Sequence, residues 1–218
     1  MPPLQTSNST PVTAKPIIDR TAGRVDVNQR KIINGGGADV VQLWPIKHKF
    51  AWEAYNVGNA NHWLPTEISM QSDIEQWRGQ TVLTDDERHA FRMVLGFFTT
   101  ADSIAANNLV LAFYKHITSP EARLFLLRQA YEEAVHTQAY QYMVESLGLD
   151  GTEIYNMYRE VDAIYNKEEF ILSFNEGIFR DDFKTGTFEN DQKFLENMCV
   201  FSLILEGIFF YSSFAVIF

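Results

Sequence analysis

From residue 45 onward, apolar residues recur at spacings of three and four, and strict apolar–polar alternation is absent. That periodicity predicts helices and no strands. A first helix is expected over 46–57, a break over 59–63, and a second helix over 66–78 with Pro65 just ahead of it. Thr84 and Glu87 form a capping-box pattern that opens a long helix over 84–117. Ser119 as N-cap, with Pro120 in the first turn, opens the next, which ends near Gly148. Two further helices are expected over 153–167 and 168–179, and Thr187 or Asn190 opens the last, still apolar at Phe218. The predicted class is all-α with long helices. Residues 1–40 are rich in Pro, Thr, Ser, Asn and Gly and read as a mobile or loosely attached segment, leaving 41–218 as the helical domain. Gly35-Gly36-Gly37 lacks both the preceding strand and the following Lys-Ser/Thr of a phosphate loop.

Apolar residues make up 46% of the 218, and 17 are Phe, ample for the core of one helical bundle. The net charge of −10 argues against nucleic acid as a partner, since phosphate contacts need clustered Lys and Arg. The single Cys199 permits no intramolecular disulfide, so a reducing cytoplasm is the expected location, with Cys199 a small buried hydrophobe. Residues 1–30 lack the apolar run of a secretory signal. The apolar stretch 198–218 has the length of a membrane span. It contains Glu206 and several Ser and has no basic flank, so the expectation is a fully buried core helix and no membrane.

Three helices carry an acid on the apolar stripe. The stripe over 84–117 runs Phe91, Leu95, Phe98, Asp102, Ala105, Leu109; that over 120–148 runs Leu126, Ala130, Glu133, His136 or Thr137, Tyr140, Met143, Leu147. In the last helix it runs Cys199, Leu203, Glu206, Phe210, Phe214. A lone inward acid is often a structural ion pair or a helix-edge residue. Three of them, with His136 one turn beyond Glu133 and no inward Lys or Arg on that stripe, need another means of neutralisation, and a metal ion supplies it. Carboxylates plus imidazole suit iron or manganese, whereas zinc sites generally show Cys or more His. A bundle-core di-iron site takes single carboxylates from two helices and a Glu-x-x-His from each of two others. Only one Glu-x-x-His is present: His48, His62, His89 and His116 have no Glu three residues before them. Glu132 is rotated away from Glu133 and reads as an outward or supporting acid.

These residues resemble those of the small, radical-generating subunit of class I ribonucleotide reductase. The resemblance lies in Asp102-Ser103-Ile104, in Glu133-x-x-His136-x-x-x-Tyr140, and in Leu205-Glu206-Gly207-Ile208-Phe209-Phe210-Tyr211-x-x-Phe214, and covers about residues 45–218. It implies a ferritin-like helical bundle, of which this chain is the N-terminal portion. It also implies Asp102, Glu133, His136 and Glu206 as metal ligands, Glu133 bridging the two ions. Tyr140 would become a stable tyrosyl radical, with Phe210 and Phe214 shielding it and Trp63 carrying electrons. The implied cofactor is a di-metal centre, foremost two Fe, with Mn or mixed Mn/Fe as alternatives. The implied partners are the large catalytic subunit and a second copy in a homodimer. The family pattern has a second Glu-x-x-His that is missing here, so the chain reads as cut inside an element and in need of a complementing C-terminal segment. Two other readings remain open: a ferritin-like di-iron or Mn/Fe oxidase, and a non-catalytic half-bundle.

Overall fold

The computed structural model describes residues 26–35, 42–79 and 81–217. Helices α1 (Lys49–Ala60) and α2 (Gln71–Arg78) precede the long α3 (Asp85–Asn107), and a short 3-10 turn, Pro65–Glu67, lies between α1 and α2. Helix α3 begins at the anticipated capping box: Thr84 N–H donates to Glu87 Oε2 at 2.7 Å, and Glu87 N–H donates to Thr84 Oγ1 at 3.2 Å. Acids in its first turn complement the helix dipole. The helix continues as a π-helical stretch, Asn108–Phe113, and ends short of the expected residue 117.

Helix α4 (Pro120–Leu147) starts at the Ser119 cap and stops at Gly148, whose φ of +67° is the left-handed conformation that glycine adopts without a Cβ penalty. It packs against both α1 and α3. Val135, Ala139 and Val144 are therefore buried beside the anticipated Leu126, Glu133, Tyr140 and Leu147, and the buried surface is wider than one stripe. Helices α5 (Gly151–Glu160) and α6 (Asp162–Phe179) divide at Val161, which is extended, rather than at 167/168. Helix α5 approaches α3 at Gly96, where a Cβ would lie 2.9 Å from Met157 Cβ. The core joins Leu95, Phe98, Ala101 and Ala105 of α3 to Ile154 and Met157 of α5, and to Ile164, Ile171 and Ile178 of α6.

Residues 26–35, inside the segment expected to be loosely attached, dock at the α3–α4 corner. Ile33 forms an antiparallel bridge with Ile117, and Thr118 N–H donates to Ile32 O at 2.7 Å. Arg30 is buried and donates to Pro45 O at 2.8 Å. Glu121, fully buried, accepts from Lys47 N–H at 2.7 Å, His48 N–H at 3.3 Å and Ser119 Oγ at 2.8 Å, with Arg30 Nη1 4.0 Å away. Burial alone would raise the Glu121 carboxyl; the hydrogen bonds outweigh it and hold the group at about 2. Residues 1–25 and 36–41 of the expected N-terminal segment and its end, including Gly36 and Gly37, lie outside the described residues.

The last helix departs most from expectation. Helix α7 (Phe188–Cys199) is capped by Thr187 and runs through a π-helical stretch, Val200–Phe210, into α8 (Tyr211–Ile217). Bonding from i to i+5 widens the turn. The buried positions are accordingly Phe201, Leu205, Phe210 and Ser213, with a step of five at the centre. Cys199 and Leu203, anticipated on the inner stripe, face outward; Leu203 is 62% exposed. The expectation of a fully buried core helix is thus corrected: Tyr211, Ile208 and Val216 are also exposed, because no described element covers that side. By length and composition, Asp85–Phe113 and Phe188–Ile217 could each cross a membrane, a property shared by bundle-core helices.

Candidate metal centre

Helix α3 carries Asp102 inward, α4 carries Glu133 and His136 one turn apart, and the π-helical stretch carries Glu206. Asp102 and Glu133 are buried; the His136 side chain is 35% exposed, since one side of the cluster has no described residue over it. Ligand atoms of Asp102, Glu133 and His136 lie within 4.8 Å of one another. His136 Nδ1 is 3.2 Å from Glu133 Oε2 and 3.5 Å from Asp102 Oδ2. Glu206 stands outside this tight group but close enough for its charge to act on Asp102 and for Glu133 to act on it. Glu132 turns away and pairs with Arg128, in keeping with an outward acid.

The electrostatics follow from collecting like charges in a dry place. Burial, then the charge of Glu133, pushes Asp102 up to about 8. Burial, then Glu133 again, raises Glu206 to about 7. For His136, burial favours the neutral ring, but the hydrogen bond to Glu133 and the charge of Asp102 prevail and raise it. Burial, followed by the charge of the nearby Asp102, pushes the Tyr140 phenol far up, so it stays protonated.

Trp63 is half-buried with its ring 6.4 Å from that of His136. Phe210 is buried, while Phe214 is 39% exposed. The ring stacked on Tyr140 is Phe98, at 5.2 Å and 22°, and Phe210 and Phe214 both pack on Phe98. Sequence periodicity marks Phe98 only as core, four residues before Asp102; its pairing with Tyr140 depends on how α3 meets α4.

Asp102 Oδ2 and Glu206 Oε1 are buried and have no hydrogen-bond partner among the described residues. Unpartnered carboxylate oxygens beside a third acid and an imidazole fit a divalent cation, which would neutralise them and take up their lone pairs. The oxygen and nitrogen donors suit iron or manganese better than a soft-ligand metal. The described residues supply one Glu-x-x-His and two further carboxylates, part of a bundle-core di-metal set.

A helical bundle with inward carboxylates and a Glu-x-x-His on facing helices defines the class of carboxylate-ligated metal proteins. Within that class, the chain belongs to the ribonucleotide reductase small chain family, whose model matches residues 40–218. The ribonucleoside-diphosphate reductase subunit beta of Chlamydia pneumoniae is 47% identical over 201 residues, covering 92% of this chain and 58% of that protein. The subunit beta of Aquifex aeolicus is 32% identical, covering 91% of this chain and 27% of its own length. The chain therefore spans little more than half of the first relative and about a quarter of the second. The ribonucleotide reductase R2 subunit from Clostridium botulinum superposes with a TM-score of 0.72 at 29% identity, over 86% of this chain and 56% of that one. The Streptococcus sanguinis dimanganese(II)-NrdF shares the fold, with a TM-score of 0.64 at 20% identity, over 81% of this chain and 56% of that one. The fold is the ferritin-like helical bundle.

Proposed function

We propose that this chain acts in the small subunit of a ribonucleoside-diphosphate reductase, an oxidoreductase in which Tyr140 is oxidised to a tyrosyl radical for use by the large subunit. The observation that carries this reading is Tyr140 itself: a buried phenol within reach of the Asp102 charge, beside a cluster of side chains that could hold a metal. Asp102, Glu133, His136 and Glu206 would hold the di-metal centre. Two Fe suit the donors, with Mn or mixed Mn/Fe as alternatives. When bound, such a centre supplies oxygen activation and one-electron oxidising power.

The protein's own groups then have distinct tasks. Asp102, close enough to the phenol for its charge to act on it, would link the metal site to Tyr140. Trp63, against His136, offers a route for electrons between the centre and the outside. Phe210 and Phe214, through Phe98, keep water from the ring. Ribonucleotides would be reduced on the large subunit, and the small subunit would pair with a second copy in the cytoplasm. A complementing segment carrying a second Glu-x-x-His would complete the ligand set.

Electron paramagnetic resonance after anaerobic loading with Fe(II) or Mn(II) and exposure to oxygen, with and without a complementing segment, tests the reading. A tyrosyl signal that disappears in Tyr140→Phe is the expected result. Full metal loading with oxygen consumption and no tyrosine-dependent signal would point instead to an oxidase.

A further inference from the structure

Phe98 lies on α3 one turn before Asp102, and the two side chains reach the same phenol from the same helix face. Asp102 lies close enough to the Tyr140 hydroxyl for its charge to act on the phenol. Phe98, 2% exposed, stacks on the Tyr140 ring at 5.2 Å between centroids with 22° between planes. The Phe98 ring is itself held: Phe210 lies nearly parallel to it at 5.5 Å and 11°, Phe214 approaches to 4.9 Å, and Phe97 to 6.0 Å. A phenol can rotate about the Cβ–Cγ bond, because that torsion is broad. A ring stacked on it removes this freedom, and a ring locked by three others removes it most firmly.

We infer that Phe98 is a positioning residue for Tyr140, fixing the plane of the phenol. The assignment rests on the reading of Tyr140 as the radical residue, since a fixed ring plane then sets the angle between the ring and the Cβ–H bonds, and with it the spin coupling to those hydrogens. Phe210 and Phe214 act on the phenol through Phe98.

Phe98→Leu removes the ring but keeps an apolar side chain, and Phe98→Tyr restores the ring. In the metal-free protein, NMR of ring-labelled tyrosine, with the Tyr140 signal assigned by its loss in Tyr140→Phe, reads the stack directly. Phe98→Leu should lose the ring-current shift of Tyr140, and Phe98→Tyr should keep it. In the metal-loaded, oxygen-treated protein, Phe98→Leu should change the β-hydrogen hyperfine splitting of the radical and shorten its lifetime, while Phe98→Tyr should match the parent. Unchanged ring resonance and unchanged splitting in Phe98→Leu would overturn the inference, as would equal losses in both variants, which mark packing alone. A parent protein without any radical would count against the radical reading; the metal-free ring resonance would still decide Phe98. Should Phe98→Leu not fold, Phe98→Met, similar in size and without a ring, takes its place.

Discussion

At the scale of single residues, the centre is a set of acids kept where acids ordinarily do not stay. Asp102 titrates near 8 against an ordinary 3.8, and Glu206 near 7 against 4.5. Because these folded-state values are raised, the folded protein binds more protons than the unfolded chain between the two limits, and stability falls as pH rises. Without metal, the melting temperature should therefore decline from about pH 4 to about pH 8, the window in which Asp102 ionises. Asp102→Asn should flatten that decline in thermal scans and raise the melting temperature at the alkaline end. Metal binding should run the other way, tightening with pH and releasing protons, which calorimetry in buffers of different ionisation heat would register. Loss of a ligand is the sharper test of the cluster. Glu133→Ala should weaken Mn(II) or Fe(II) binding by more than the roughly 10–100-fold seen when only a supporting residue is removed.

At the scale of elements, two contacts govern how the helices are placed. A methyl group at position 96 would meet Met157 on α5, with 2.9 Å to its Cβ. Gly96→Ala should cost about 1–3 kcal/mol in urea unfolding, as overpacking does where a neighbouring helix must shift. Glu121 ties Arg30, Lys47 and His48 to the start of α4. Its folded value of about 2 lies below the ordinary 4.5, so its contribution is complete above about pH 4.5 and is lost as the pH falls toward about 2. Glu121→Ala leaves Arg30 buried without its counter-charge and should cost about 3–5 kcal/mol near neutral pH, with the deficit shrinking in acid. The helix boundaries show how far periodicity reaches. The cap at Thr84 and the Ser119–Gly148 limits of α4 rest on short-range chemistry, and the structure has them where the residues indicate. The 161 break and the π-helical stretches are different. No cap or proline marks them, and a 3.6-residue template placed Leu203 inward where the wider turn points it out.

At the scale of the whole molecule, a site built from three helices couples metal binding to the bundle. Anaerobic Mn(II) at about 100 times its dissociation constant should stabilise the folded chain by about 2.7 kcal/mol, visible as a rise in melting temperature that Glu133→Ala abolishes. The amino-acid sequence by itself determined the helical class, most helix starts, and the candidate acids, because helix periodicity and capping act within a few residues. An inward acid on an apolar stripe is also visible without coordinates. The tertiary structure alone decided that Asp102 meets Glu133 and His136 within ligand distance, that Glu206 sits slightly apart on a π-helical turn, and that Phe98 is the ring against Tyr140. It also decided that 26–35 docks and that the last helix bares one apolar side. These outcomes depend on the relative rotation and depth of packed helices. Those are set by close fits such as Gly96 against Met157, between residues far apart in the chain.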